Sequence, residues 1–214
     1  MALGPTVRRL LGPRLAYVAS RWYRSIFVDL SALADAISPW MPSNARLLDV
    51  GGGDGEALNH LLARRPDIQV TTLDTTQVVG QYIATHFEAQ VIRLPETRLA
   101  DYLQRDLPAP NVVLLSDVMH HVPPAERPTL IHCLATLLDR TPNLKIIIKD
   151  IEPGSWRASL ARWTDYYITG DKGVTPIARN ELVALILQHL GRMRWEESDM
   201  YTLDNPNYAI AFYR

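Results

Sequence analysis

Three features of the chain predict an α/β fold with a doubly wound, mostly parallel sheet. Short apolar runs alternate five times with segments of helical periodicity. Two of the runs, at 112–115 and 146–148, are apolar on consecutive residues, as strands covered on both faces require. Two last strand-like segments meet through Asp204, Asn205, Pro206 and Asn207, a turn-rich connection that predicts a terminal hairpin. The chain has 214 residues and is 47% hydrophobic, enough for one core and an appendage.

Residues 6–38 read as helical, with a break near Pro13. They carry Arg8, Arg9, Arg14, Arg21 and Arg24 against Asp29 and Asp35, with Tyr17, Trp22, Tyr23 and Phe27 among them. Residues 1–42 are therefore expected to form a mildly basic, aromatic helical appendage. It would pack on the domain edge and act as a lid over a ligand, with Tyr23 a candidate acceptor contact. The domain proper is expected over 43–214. Its strands fall at 46–50, 68–74, 89–94, 111–117 and 144–150, and its helices at 56–65, 76–87, 96–106 and 124–140. A longer segment follows the fifth strand, with an insertion over about 153–177. The helix at 179–190 is stopped by Gly191, and the hairpin strands are expected within 192–203 and 205–214.

Composition excludes several classes. The formal net charge is −1 and the pI about 6.6, so bulk charge gives no attraction to nucleic acid. A single cysteine, Cys133, rules out a disulfide framework or a cysteine-based zinc site. No apolar run approaches a membrane span. The arginines around the first apolar stretch, and Pro13 within it, argue against a cleavable leader, which makes the cytoplasm the default location.

The run LLDVGGGDGEAL, residues 47–58, carries the chemistry. It sits where the first strand meets the first helix, and ligands in such sheets bind at the carboxyl ends of strands. A turn so nearly stripped of side chains allows very close approach of another group to the backbone. A phosphate-binding P-loop is excluded, because no Gly-Lys-Ser/Thr follows. A dinucleotide fingerprint starting at Gly51 and Gly53 would put Glu56 at its third glycine, where a negative side chain opposes a pyrophosphate.

The pattern Asp49-x-Gly51-x-Gly53-x-Gly55 resembles the first motif of the class I S-adenosylmethionine-dependent methyltransferases. Asp74 ends the second strand, where that family has an acid for the ribose hydroxyls. The run LLSDVMHHV, 114–122, is similar to its fourth-strand motif, whose acid and following residues flank the cofactor. The resemblance covers roughly residues 45–214. It implies a Rossmann-like, seven-stranded, mostly parallel sheet with an antiparallel last strand. It also implies S-adenosyl-L-methionine as cofactor, leaving S-adenosyl-L-homocysteine as product. The cofactor residues so implied are Asp49, Gly51, Gly52, Gly53, Asp54, Asp74, Thr75, Leu94, Asp117, Val118 and His121. One departure stands out: the family often has an acid just after the third strand, near the adenine amino group. Here Leu94 or Pro95 takes that place, so apolar packing and backbone groups are expected to hold the base.

Methyl transfer needs an acceptor in line with the sulfonium, and a base where the acceptor must lose a proton. His120 and His121 follow the fourth strand and have a suitable unperturbed pKa; both are candidate catalytic residues, with His121 also expected against the cofactor. Lys149 at the end of the fifth strand, and Trp163, Tyr166 and Tyr167 in the insertion, are candidate substrate contacts, the aromatics by stacking. Adjacent histidines make a poor chelate, so no metal is expected. The run SDVMHH lacks the Asn/Asp-Pro-Pro-Phe/Tyr signature of amino-group methylases of adenine and glutamine. The expected activity is O-, C- or N-methylation of a small apolar or aromatic metabolite. The alternatives are a nicotinamide-dependent reductase and a non-catalytic cofactor-binding protein of the same fold. No motif specifies an oligomeric state.

Overall fold

The computed structural model describes residues 29–154, 173–198, 200 and 205–214. Tyr23, Trp163, Tyr166 and Tyr167, with most of the expected lid and insertion, lie outside the described residues. Seven strands form one sheet: β1 (Arg46–Val50), β2 (Gln69–Leu73), β3 (Val91–Leu94), β4 (Val112–Ser116), β5 (Lys145–Ile151), β6 (Arg194–Glu197) and β7 (Asn207–Tyr213). Their order is β3-β2-β1-β4-β5-β7-β6. The pairs within β1 to β5 are parallel, and β7 runs antiparallel to both β5 and β6. The strand order reverses between β1 and β4, which puts a crevice at their carboxyl ends.

Alternation along the strands sends side chains to two faces. Leu47, Leu114, Ile147 and Ala209 join one apolar layer with α1 (Leu30–Ile37) and α2 (Glu56–Arg64). Leu48, Val113, Ile146 and Ile148 join the other with α4 (Arg127–Arg140) and α5 (Arg179–Leu190). The helix α1 starts at Asp29, whose carboxylate accepts from the backbone N–H of Ser31 (2.9 Å) and Ala32 (3.0 Å). It buries Leu33, Ala34 and Ile37 against Leu58, Leu61 and Leu62 of α2, so this part of the expected appendage belongs to the core. Among the described residues no helix is long and apolar enough to cross a membrane.

The expected helix at 76–87 is absent. The chain there runs through turns and then a short 3₁₀ helix, Thr85–Gln90. Gly80 has φ of +66°, and its N–H donates to Gly53 O (2.8 Å), while the Tyr82 N–H donates to Asp54 O (2.9 Å). Backbone groups that a helix would use internally instead hold the glycine loop. The helix expected at 96–106 shrinks to α3 (Leu99–Tyr102), because Glu96 takes a left-handed φ of +49° and Pro95 precedes it. The remaining helices start or stop within a few residues of expectation, α5 ending at Gly191 with φ of +77°.

Candidate functional site

The loop after β1 is held from three sides. Gly51 and Gly52 donate to Leu73 O (2.8 and 3.1 Å), the Gly53 N–H donates to Asp74 Oδ2 (3.0 Å), and α2 opens at Glu56 with Asp54 Oδ1 accepting from its N–H (3.2 Å). The glycines serve two ends. A Cβ on Gly52 would lie 1.8 Å from Thr72 Oγ1 and 2.4 Å from Asp49 Oδ2, so this glycine is required by the fold itself. Gly53, at φ of +52°, would meet nothing within 4 Å: its bare face is open to an incoming group.

Asp49 is buried beneath this loop, accepting from Thr72 Oγ1 (2.8 Å). Burial pushes its carboxyl up to about 6, against the hydrogen bond from Thr72, and the charge of Asp74 adds to the rise. Asp74 uses Oδ1 to accept from Thr76 N–H (2.9 Å) and Oδ2 to accept from Gly53 N–H, so its carboxylate is fixed at the lip of the crevice.

Two cavities open there. One, about 340 Å³, lies between the glycine loop, α1 and the ends of β1 and β4, with Asp49, Gly51, Gly52, Gly53, Asp54 and Ser116 in its wall. The other, about 650 Å³, lies between the ends of β2 and β4, with Thr75, Thr97, Arg98, Leu99, Val118 and Leu130 in its wall. Gly51, Asp74, Asp117 and His121 belong to both walls and mark the junction. Leu94, an expected contact, lies in the core cluster and lines neither cavity; the chain beyond it turns so that Thr97, Arg98 and Leu99 form that wall. Cys133, read from the sequence as a small buried hydrophobe, is buried and also reaches the larger cavity.

Past β4 the chain carries two charge pairs. Asp117 adopts a left-handed φ of +58° and accepts from Lys149 Nζ at 2.6 and 2.7 Å. Lys149, an expected substrate contact, is instead fully buried and lines neither cavity, because its ammonium is drawn under Asp117. Asp150, also fully buried, holds His120 twice: its Oδ1 is 2.6 Å from Nδ1, and its Oδ2 accepts from the His120 N–H at 3.2 Å. That His120 ring stacks at a tilt on His121, with centroids 4.1 Å apart. The His120 carbonyl accepts from Thr175 N–H (2.8 Å), and the Arg127 guanidinium donates to Val122 O (3.1 Å) and to Thr175 O, which fastens the end of the expected insertion. Ligand atoms of Asp117, His120 and Asp150 come within 4.8 Å of one another, a closeness the sequence did not suggest. The Lys149 ammonium and the His120–Asp150 bond already engage those atoms, and the group reads as a charge network.

The geometry fits a ligand with a nucleoside at one end and an amino acid at the other. The bare backbone face at Gly53 and the first-turn N–H groups of α2 suit a carboxylate. Asp49 and Asp54 suit an ammonium, and Asp74 a sugar diol. A dinucleotide is disfavoured by the same loop, since Glu56, at the start of α2, is buried there. The antiparallel β7 between β5 and β6 also departs from the all-parallel 3-2-1-4-5-6 order of dinucleotide folds.

Comparison with known proteins agrees with this arrangement. A rice (Oryza sativa subsp. japonica) protein, acetylserotonin O-methyltransferase 2, is 36% identical over 74 residues, which are 35% of this chain and 18% of that protein. The mitomycin 7-O-methyltransferase MmcR superposes with a TM-score of 0.66 at 18% identity, over 86% of this chain and 52% of that one. Human N-acetylserotonin methyltransferase, solved with S-adenosylmethionine, gives 0.61 at 16% identity, over 79% and 47%. The chain thus spans about half the length of these solved relatives. A family model described as a methyltransferase domain matches residues 22–185, and with the loop, the two acids and the strand order in place the chain belongs to that methyltransferase family.

Proposed function

We propose that the protein transfers a methyl group from S-adenosyl-L-methionine to a hydroxyl of a small apolar or aromatic metabolite. The observation that carries this reading is the buried His120–Asp150 pair at the ends of β4 and β5, which lines neither cavity itself but adjoins His121 in the wall of both. The relatives named for O-methylation support oxygen as the accepting atom.

Gly51, Gly52, Gly53 and Asp54 would hold the amino-acid end of the cofactor, and Asp74, Thr75 and Val118 its nucleoside. When bound, it supplies an electrophilic methyl group on a positively charged sulfur. The chain's own residues handle the proton. Asp150 accepts from Nδ1–H of His120, which fixes the tautomer and makes Nε2 the basic nitrogen. Nε2 would take the proton of the acceptor hydroxyl, and the buried Asp150 would steady the imidazolium that forms. His121, in the wall of both cavities, packs on His120 and would lie against the bound cofactor.

Calorimetry with S-adenosylhomocysteine, followed by turnover of a panel of phenolic and alcoholic acceptors, tests this. Binding with product formation is expected. His120→Ala should lower kcat by about 10²–10⁴-fold with the S-adenosylhomocysteine affinity kept. Turnover undiminished in that variant removes His120 as the base, and no binding by folded protein removes the function.

A further inference from the structure

The methyl donor and the product it leaves differ by one charge at sulfur. A site that holds both equally well stays clogged with product. The junction of the two cavities is where such a difference is readable, since a ligand spanning both must pass Gly51, Asp74, Asp117 and His121.

Asp117 stands out among these four. Its side chain is 39% exposed and Asp117 belongs to both cavity walls, while the Lys149 side chain that grips its carboxylate is 0% exposed. The pair is therefore an oriented dipole with its negative end toward the junction. Among the described residues Lys149 has no other side-chain partner, so the buried cation is compensated by Asp117 alone. Two bonds to one ammonium fix the carboxylate rotamer, and the Asp117 N–H donating to Lys149 O (2.9 Å) fixes the backbone at its left-handed φ. Burial alone would raise the Asp117 carboxyl, but the Lys149 charge, aided by its hydrogen bonds and the neighbouring imidazoles, holds it below its ordinary value. A negative end that is both ionised and immobile needs no reorganisation to meet a cation.

We propose that Asp117, held in place by Lys149, makes the site prefer the sulfonium donor over its neutral thioether product. This rests on the methyl-transfer reading above and adds to it a residue that sets donor-over-product selectivity and a second that positions it. Lys149 acts only through Asp117 and touches no ligand.

The test is calorimetry of the full chain, without acceptor, using S-adenosylmethionine, S-adenosylhomocysteine and sinefungin, which carries an amine-bearing carbon in place of the sulfonium. The wild type should bind the two cationic ligands more tightly than the thioether. Asp117→Asn should shrink that preference by about tenfold, through weaker binding of the cations with the thioether held as well or better. Asp117→Asn leaves Lys149 buried and unpaired, so the double variant Asp117→Asn/Lys149→Met carries the same test without that burden, and its preference should be reduced to the same extent. A preference unchanged in the double variant overturns the inference while leaving the function standing. A wild type that binds none of the three ligands overturns the function, and the inference with it.

Discussion

At Asp49 the fold keeps a carboxyl from water beneath its own glycine loop. Its value rises from 3.8 to about 6 on burial, so the folded chain holds this proton where the unfolded chain has lost it. The sign follows: the contribution to stability is full below pH 3.8 and is lost as pH rises through about 6. The shift corresponds to about 3 kcal/mol between those limits. Asp49→Asn cannot titrate, so the difference in urea stability between wild type and variant should change by that order between pH 4 and pH 7, in the variant's favour at the higher pH. A flat difference refutes it. Residues of this kind were legible in part. Asp49, Asp74 and the glycines announce themselves by type and position, because few uses other than a ligand explain a bare corner flanked by acids. Lys149 was not legible as a core residue. A lysine at a strand end reads as a solvent-facing group, and neither the burial of β5 along its length nor the left-handed backbone that sets Asp117 against the ammonium is visible in the sequence.

Elements hold the site through a few backbone clasps. Arg65, at the end of α2, donates to Ser38 O (3.0 Å), Met41 O (2.9 Å) and Pro42 O (2.6 Å), and pairs in a two-pronged fashion with Asp67 (both 2.8 Å). One side chain thereby ties α1 and its following turn to α2, the helix that follows the glycine loop. Arg65→Met keeps much of the volume and leaves three carbonyls without this donor. It should cost about 2–3 kcal/mol, read as a lower urea midpoint with an unchanged m value. A change under about 0.5 kcal/mol would mean water replaces the guanidinium at no cost. The inner strands β1, β2, β4, β5 and β7 and the long helices α2, α4 and α5 were legible, since each buries a stripe or a full apolar run. The 76–87 stretch misled because its apolar spacing suits a helix while its backbone is committed elsewhere, Gly80 and Tyr82 bracing the loop after β1. Periodicity reports which side chains are buried and says nothing of a backbone hydrogen bond to a distant segment.

On the scale of the molecule, the crevice joins elements that are far apart in the sequence. β1, β2 and β4 supply its floor, α1 closes one side, and the stretch from Thr97 to Leu99 closes the other. A ligand seated there touches parts of both apolar layers at once, so binding should stabilise the whole cooperative unit and not one corner. Ligand at a hundred times its Kd adds about 2.7 kcal/mol to a fold that binds it only when native. For a chain of this size that is a rise in Tm of roughly 5–10 °C. S-adenosylhomocysteine at saturating concentration should produce such a rise, and NADH none, because Glu56 stands where a dinucleotide loop has its third glycine and a negative charge at that helix start opposes a pyrophosphate. Asp74→Ala removes the carboxylate that braces Gly53 and is proposed to hold the sugar, and the concentration needed for half the rise should then increase by at least tenfold. An equal rise with NADH would mean the loop accepts a pyrophosphate after all. An undiminished response in Asp74→Ala would mean the nucleoside is held elsewhere than at the end of β2.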